Sequence, residues 1–312
     1  MGNVLELQGL CKSFGEKQVV RSLSLSMETG KLLCLLGPSG CGKTTTLQMI
    51  GGFLKPDAGS IRVDGVDITH LPPEARPVST VFQSYALFPH LTVLGNVTYG
   101  LRFQKLRKRE AEARGRDYLA MAGLSDCADA RIHQLSGGQQ QRVALVRSLI
   151  TNPKVLLLDE PLSNLDAKLR TQLREELRDL QHRFDTTMVF VTHDQEEAMA
   201  LSDQMAVMDG GVLQQLGTAE EVYRHPANDF VRDFLGITNR LTLPDGRAVA
   251  LRPEQLRFAD DGVLRGTVLR RSFFGFYDQY HIRIGDSEVL LRASGGEALP
   301  GDTVRLAVVE ET

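Results

Sequence analysis

Leu32-Leu33-Cys34-Leu35-Leu36-Gly37-Pro38-Ser39-Gly40-Cys41-Gly42-Lys43-Thr44-Thr45-Thr46-Leu47 decides how this chain folds. The first five residues form an unbroken apolar run of strand length, the pattern of a strand covered on both faces. Glycines then interrupt the run, and Leu47, Met49 and Ile50 mark a helix that follows. Gly37 to Thr44 fit GxxxxGK(S/T) without departure, in the strand-loop-helix setting that this pattern requires. Such a loop turns backbone N–H groups inward around a polyphosphate, and the helix starting there aims its positive dipole end at the same anion. Lys43 would reach the β- and γ-phosphates, and Thr44 would offer its hydroxyl to Mg²⁺.

A phosphate loop of this kind needs an acidic metal holder, best placed at the end of an adjacent buried strand. Val155-Leu156-Leu157-Leu158-Asp159 supplies it, and Glu160 stands next, where a carboxylate can take a proton from an attacking water. From Ala167 to Phe184, residues Leu169, Leu173, Leu177, Leu180 and Phe184 recur on one helix face, and the apolar run Met188 to Val191 follows. Strands alternating with helices predict a parallel sheet with crossover helices, an α/β fold. A second helix is expected from Gln139 to Ile150, stopped by Pro153.

The composition excludes several classes. With 312 residues the chain has room for about two domains. A hydrophobic fraction of 42% and a charged fraction of 24% are those of a globular protein, not of a disordered or fibrous one. The 36 basic and 39 acidic residues leave a net charge of -3, too acidic for a general nucleic-acid coat. The basic stretch from Arg102 to Arg116 is interrupted by Glu110 and Glu112 and carries Phe103 as its only aromatic, which reads as a solvated helix face. No apolar run approaches membrane-spanning length, and the start MGNVLELQG lacks a signal core. Cys11, Cys34, Cys41 and Cys127 stand alone, without zinc or disulfide spacing, so a reducing cytosol is expected.

The segment Leu135-Ser136-Gly137-Gly138-Gln139-Gln140-Gln141-Arg142, taken with Gly37 to Thr45 and Leu156 to Pro161, resembles the nucleotide-binding subunit of ATP-binding cassette (ABC) transporters. The resemblance covers roughly positions 1 to 236 and implies a P-loop NTPase cassette with a parallel-sheet core, an antiparallel β subdomain and a helical subdomain. It implies ATP and Mg²⁺ as cofactors. Gln83 in Val81-Phe82-Gln83-Ser84 looks like the Q-loop glutamine, Ser163-Asn164-Leu165-Asp166 like the D-loop and His193 in Val191-Thr192-His193-Asp194 like the switch histidine. By the same resemblance Glu160, His193, Lys43 and Gln83 are the catalytic set. Thr44, Gln83 and Asp159 would hold the metal. Phe14 would stack on adenine without the hydroxyl of the family's usual tyrosine, and Asn164 stands where alanine is common. Nucleotide contacts would come from Phe14, Gly37, Pro38, Ser39, Gly40, Cys41, Gly42, Lys43, Thr44, Thr45 and the D-loop Asp166, with Ser136, Gly137, Gly138 and Gln139 completing the site from a second, head-to-tail copy.

Gln83-Ser84-Tyr85-Ala86-Leu87-Phe88-Pro89-His90 looks like the stretch of the importer group that contains the polyamine, ferric-iron, sulfate and maltose ATPases. There the surface near Tyr85 to Phe88 would receive two permease subunits, with Tyr85, Leu87 and Phe88 as an apolar socket and an extracytoplasmic solute-binding protein engaged indirectly. After about Gly236 short apolar runs alternate with turn clusters such as Pro244-Asp245-Gly246 and Pro300-Gly301-Asp302, which predicts a small all-β barrel over residues 237–312. Leu251-Arg252-Pro253-Glu254 resembles the entry motif of the oligomer-binding-type domain that these importers carry. Gly275 is expected at a strand bulge. The resemblance thus implies a peripheral ATPase on the cytoplasmic face of the inner membrane, serving polyamine or ferric-iron import, with sulfate, phosphonate or sugar behind. A soluble cassette ATPase acting on nucleic acid or ribosomes is the alternative of another class.

Overall fold

A computed structural model describes residues 2–104, 106–163, 167–295 and 298–309. The chain divides into two compact units, Met1–Ala227 and Asn228–Thr312.

The first unit is built on a six-stranded sheet in the order Val212–Gly217, Gln204–Asp209, Leu32–Leu36, Thr187–Thr192, Val155–Asp159, Val78–Val81. All neighbours run parallel except the outer Val212–Gly217 strand, which returns antiparallel. Leu32 to Leu36 and Val155 to Leu158 are buried throughout, which is why their sequences do not alternate. A four-stranded antiparallel sheet packs against it, in the order Lys17–Glu28, Asn3–Phe14, Ala58–Val63, Val66–Asp67. Leu5, Leu7 and Met27 of this sheet share one core with Leu33, Leu35, Val189 and Val191. The helical part comprises Val93–Val97, Lys108–Met121 and Gly137–Leu149. The last of these begins two residues before the expected Gln139, because Ser136 itself caps it.

The phosphate loop is fixed by close approach. A Cβ on Gly37 would stand 2.2 Å from the Met208 carbonyl oxygen, and one on Gly42, at φ +103°, would stand 2.7 Å from the Val19 carbonyl oxygen. Only glycine fits between these backbones.

In the second unit, a five-stranded antiparallel sheet runs in the order Leu256–Phe258, Thr303–Val308, Leu264–Phe273, Asp278–Ile284, Ser287–Ala293. Its two edge strands curl back into contact, making a half-barrel around Leu264, Val268, Tyr280, Ile282, Leu291 and Leu306. The Asn239–Thr242 and Ala248–Leu251 hairpin is clipped to it by the Asn239 amide, which donates to and accepts from the Leu290 backbone at 2.7 Å each. Gly275 departs from expectation. It lies in the turn between paired Phe273 and Asp278, closed by Phe274 N–H donating to Tyr277 O at 2.9 Å, and the register irregularity falls between Val268 and Arg270 instead. The positive φ of +86° is used to reverse the chain, not to bulge a strand.

Candidate nucleotide-binding site

Strand Leu32–Leu36 ends at the loop, and helix Lys43–Gly51 leaves it. The helix cap is Gly42, which has no side chain to satisfy the first amides, and no acidic residue stands in the first turn. The positive end of the helix is therefore uncompensated and open to an anion. Lys43 is only 5% exposed; its ammonium donates to Gly37 O at 2.7 Å and Pro38 O at 2.9 Å, which holds a full positive charge beside the loop. Cys41 is buried, and burial pushes its thiol up despite the nearby Lys43. Ser39, Gly40 and Thr44 are exposed, while Pro38 and Thr45 are half-buried.

Thr44 and Asp159 meet: the Thr44 hydroxyl donates to Asp159 Oδ1 at 3.2 Å. Burial pushes the Asp159 carboxyl up, the Thr44 hydrogen bond opposes that, the neighbouring Glu160 adds to it and Lys43 subtracts. A carboxylate in this position gains from a cation. Among the described residues no three His, Cys, Asp or Glu side chains converge to hold a metal unaided. One hydroxyl and one carboxylate, both hard oxygen donors, suit Mg²⁺, which retains waters and shares phosphate oxygens rather than occupying a protein cage.

Glu160 adopts φ +44°, a left-handed conformation that costs an L residue about 1–2 kcal/mol. The turn is held from both sides. Its N–H donates to Val191 O at 3.1 Å, and its carbonyl accepts from Ser163 N at 3.2 Å and Ser163 Oγ at 2.9 Å. Its carboxylate reaches His193: Oε1 stands 3.3 Å from Nδ1. The Gln83 amide donates to Ser163 Oγ at 2.9 Å, which connects it to the Glu160 turn.

His193 follows strand Thr187–Thr192 and is supported by groups that local pattern did not bring forward. Thr192 Oγ1 donates to Glu197 Oε2 at 2.6 Å and accepts from Asp194 N at 3.0 Å, and Asp194 caps helix Gln195–Leu201. Glu197 is 3% exposed, and burial pushes its carboxyl up. Arg170 places its guanidinium 3.3 Å from Asp194 and 3.6 Å from Glu197. Asp194 followed three residues later by Glu197 is a helix-start signature that could have announced this support.

Ser136 and Gln139 form a reciprocal cap at the exposed start of helix Gly137–Leu149: Ser136 N donates to Gln139 Oε1 at 2.9 Å, and Gln139 N to Ser136 Oγ at 3.3 Å. Gly137 is exposed and Gly138 buried. Phe14 ends its strand with its ring 52% exposed. Asp166 and Asn164 lie outside the described residues. Tyr85, expected to form part of an apolar socket, is instead only 8% exposed, its hydroxyl 3.4 Å from Pro161 O. Tyr85 and Ala86 both take left-handed φ, and Arg147 binds both carbonyls, which turns the ring inward. Leu87 and Phe88 are half-buried, with Phe88 packed on Tyr99.

The sequence pattern described as "ABC transporter" matches residues 20–163, and that of the "TOBE domain" matches residues 249–312. The chain is 55% identical over 236 residues to the "Spermidine/putrescine import ATP-binding protein PotA" of Marinobacter nauticus. It is 54% identical over 234 residues to the protein of that name from Salmonella typhimurium and 52% over 236 residues to that from Aliivibrio fischeri. Over residues 20–163 the chain is similar to the ABC transporter family. The alignments take in 75–76% of this chain and 62–63% of the relatives, so it spans less than two thirds of their length. As an ABC cassette followed by a TOBE domain, the chain carries its phosphate loop, Asp159, Glu160 and His193 at the ends of three adjacent parallel strands. None of the described helices is long and apolar enough to cross a membrane.

Proposed function

We propose that this chain is the ATP-hydrolysing subunit of an ABC importer for spermidine and putrescine. The observation that carries the chemistry is the convergence of Lys43, Thr44, Asp159, Glu160 and His193 at the ends of three neighbouring strands. The polyamine assignment rests on the names of relatives 52–55% identical over the cassette.

In this reading the loop amides and Lys43 bind the β- and γ-phosphates of ATP, and Phe14 takes the adenine. Thr44 and Asp159 hold Mg²⁺, which when bound neutralises charge on the phosphate oxygens. Glu160 accepts a proton from water as the water oxygen bonds to the γ-phosphorus and the bond to the β–γ bridging oxygen breaks, leaving ADP and phosphate. With Nδ1–H donating to Glu160, His193 has Nε2 left to hold the γ-phosphate, and it does so as a donor when the ring is doubly protonated. Gln83, hydrogen-bonded to Ser163, connects this turn to the segment that follows it.

Ser136, Gly137 and Gly138 begin a 13-residue helix at the surface and present amides to the ATP held by a second copy, so that two chains close head to tail over two nucleotides. Asp166 would contribute to the nucleotide site. Two permease subunits dock on the segment around Leu87 and Phe88, at the cytoplasmic face of the inner membrane, and a solute-binding protein delivers the polyamine from outside. The test is reconstitution with the permease subunits in proteoliposomes. Binding-protein-dependent ATP turnover and spermidine uptake are expected. Uptake of ferric iron without uptake of spermidine overturns the solute, and ATP turnover stimulated by RNA or DNA but not by permease overturns the transporter.

A further inference from the structure

The Asn3–Phe14 strand pairs with Ala58–Val63 only as far as Cys11, which stands opposite Ala58. Beyond that point residues 12–14 keep the Lys17–Glu28 strand on one side, with register shifts on both sides of Lys12, and end in the two-residue turn Gly15–Glu16. A strand tip with one irregular partner frays readily. Phe14, the ring expected to meet a base, sits at that tip.

Asp57 occupies the side that the strand pairing leaves. Its backbone N–H donates to Cys11 O at 2.9 Å, its Oδ2 accepts from Ser13 N at 2.7 Å, and its Oδ1 accepts from Lys12 Nζ at 2.7 Å. One residue thus holds three successive residues of the strand. Lys12, its side chain mostly buried, places its ammonium 5.8 Å from the centre of the Phe14 ring, within the range of a cation–π contact. The Lys12 hydrogen bond and the Ser13 amide also hold the Asp57 carboxyl below the usual carboxylate range, so it stays charged. Only residues 52–56 separate Asp57 from the helix that begins with Lys43 and Thr44.

We propose that Asp57, through its ion pair with Lys12 and its hydrogen bond to the Ser13 amide, is a positioning residue that fixes the Phe14 ring for the nucleotide base. The inference rests on the nucleotide reading given above and adds to it how base recognition is tied to the phosphate-binding helix. Asp57 touches no phosphate. Its effect is confined to ligands that carry a base, since pre-ordering an aromatic surface lowers the ordering cost of stacking alone.

Calorimetric binding of MgATP and of magnesium tripolyphosphate to the full chain tests this. Asp57→Ala is expected to weaken MgATP about fivefold, part of what one stacked base is worth, and to leave tripolyphosphate unchanged. Lys12→Met, which keeps the buried stem, shares the selective loss. In a Phe14→Ala background Asp57→Ala is expected to cost nothing more, because the ring it positions is gone. Equal weakening of both ligands, or a full added loss in the Phe14→Ala background, overturns the inference. Tripolyphosphate binding with no preference for ATP in the unsubstituted chain overturns it while leaving the phosphate site intact. Binding of neither ligand removes the nucleotide reading itself.

Discussion

His193 Nδ1 lies 3.3 Å from Glu160 Oε1, a side-chain link just beyond the ends of two adjacent parallel strands that adds to the backbone bond from Glu160 N–H to Val191 O. The pair is asymmetric. The histidine is 58% exposed by side chain and the glutamate 25%, so solvent can reorient the ring more readily than the carboxylate, whose backbone turn is pinned by Val191 and Ser163.

Glu160→Gln is expected to retain MgATP binding and to lower steady-state hydrolysis by about 10²–10⁴-fold, the usual worth of a general base. The amide keeps the shape and a contact to His193 but cannot take the proton. Phosphate release assayed beside gel filtration should show lost turnover together with an ATP-dependent shift to a dimer. Near-normal turnover would remove Glu160 from the reaction.

Asp159→Asn is expected to raise the Mg²⁺ concentration for half-maximal hydrolysis by about 10–100-fold. The carboxyl is half-buried beside the Thr44 hydroxyl and repelled by Glu160, so removing its charge relieves the apo site while weakening cation binding. Metal titration of ATPase activity checks this, and thermal melting of the metal-free protein should show Asp159→Asn no less stable than the unsubstituted chain.

Asp203 gives a pH signature. Burial pushes its carboxyl up, but the bidentate Arg178 guanidinium at 2.7 and 3.1 Å and the Leu32 N–H at 2.8 Å together hold it below the usual range. A carboxyl depressed in the folded state adds stability above its unfolded pKa of about 3.9, and that stability is lost as pH falls through the folded value. Partial solvent access limits the pair, so Asp203→Asn should cost about 1–2 kcal/mol near pH 7, and the difference should fade below about pH 4. Chemical denaturation at a series of pH values measures it.

What the sequence made legible was whatever chemistry needs adjacent residues. The strand, glycine loop and helix from Leu32 to Ile50 lie where the apolar pattern places them, and the Val155 to Asp159 run ends in the carboxylate that Thr44 meets. What stayed hidden depends on residues far apart in the chain. Arg170 braces Glu197, and Asp57 braces the tip that carries Phe14, yet neither stands in a motif. Tyr85 illustrates another limit. The importer resemblance of its stretch implies a docking surface, but consecutive left-handed residues bound by Arg147 send the ring inward, and no local rule anticipates a distant arginine. Gly275 shows a third, since a glycine with positive φ serves a turn as well as a bulge and only strand pairing distinguishes them.

The hydroxyl of Ser163 has one proton, and that proton is committed to the Glu160 carbonyl. The Gln83 amide therefore finds a lone pair, and the donors run in a single sense from Gln83 to the turn that carries Glu160. A carboxylate in place of the Gln83 amide would demand the serine's only hydrogen and strip it from the carbonyl. The wire has a polarity, and the chemical identity of one amide at position 83 sets its direction.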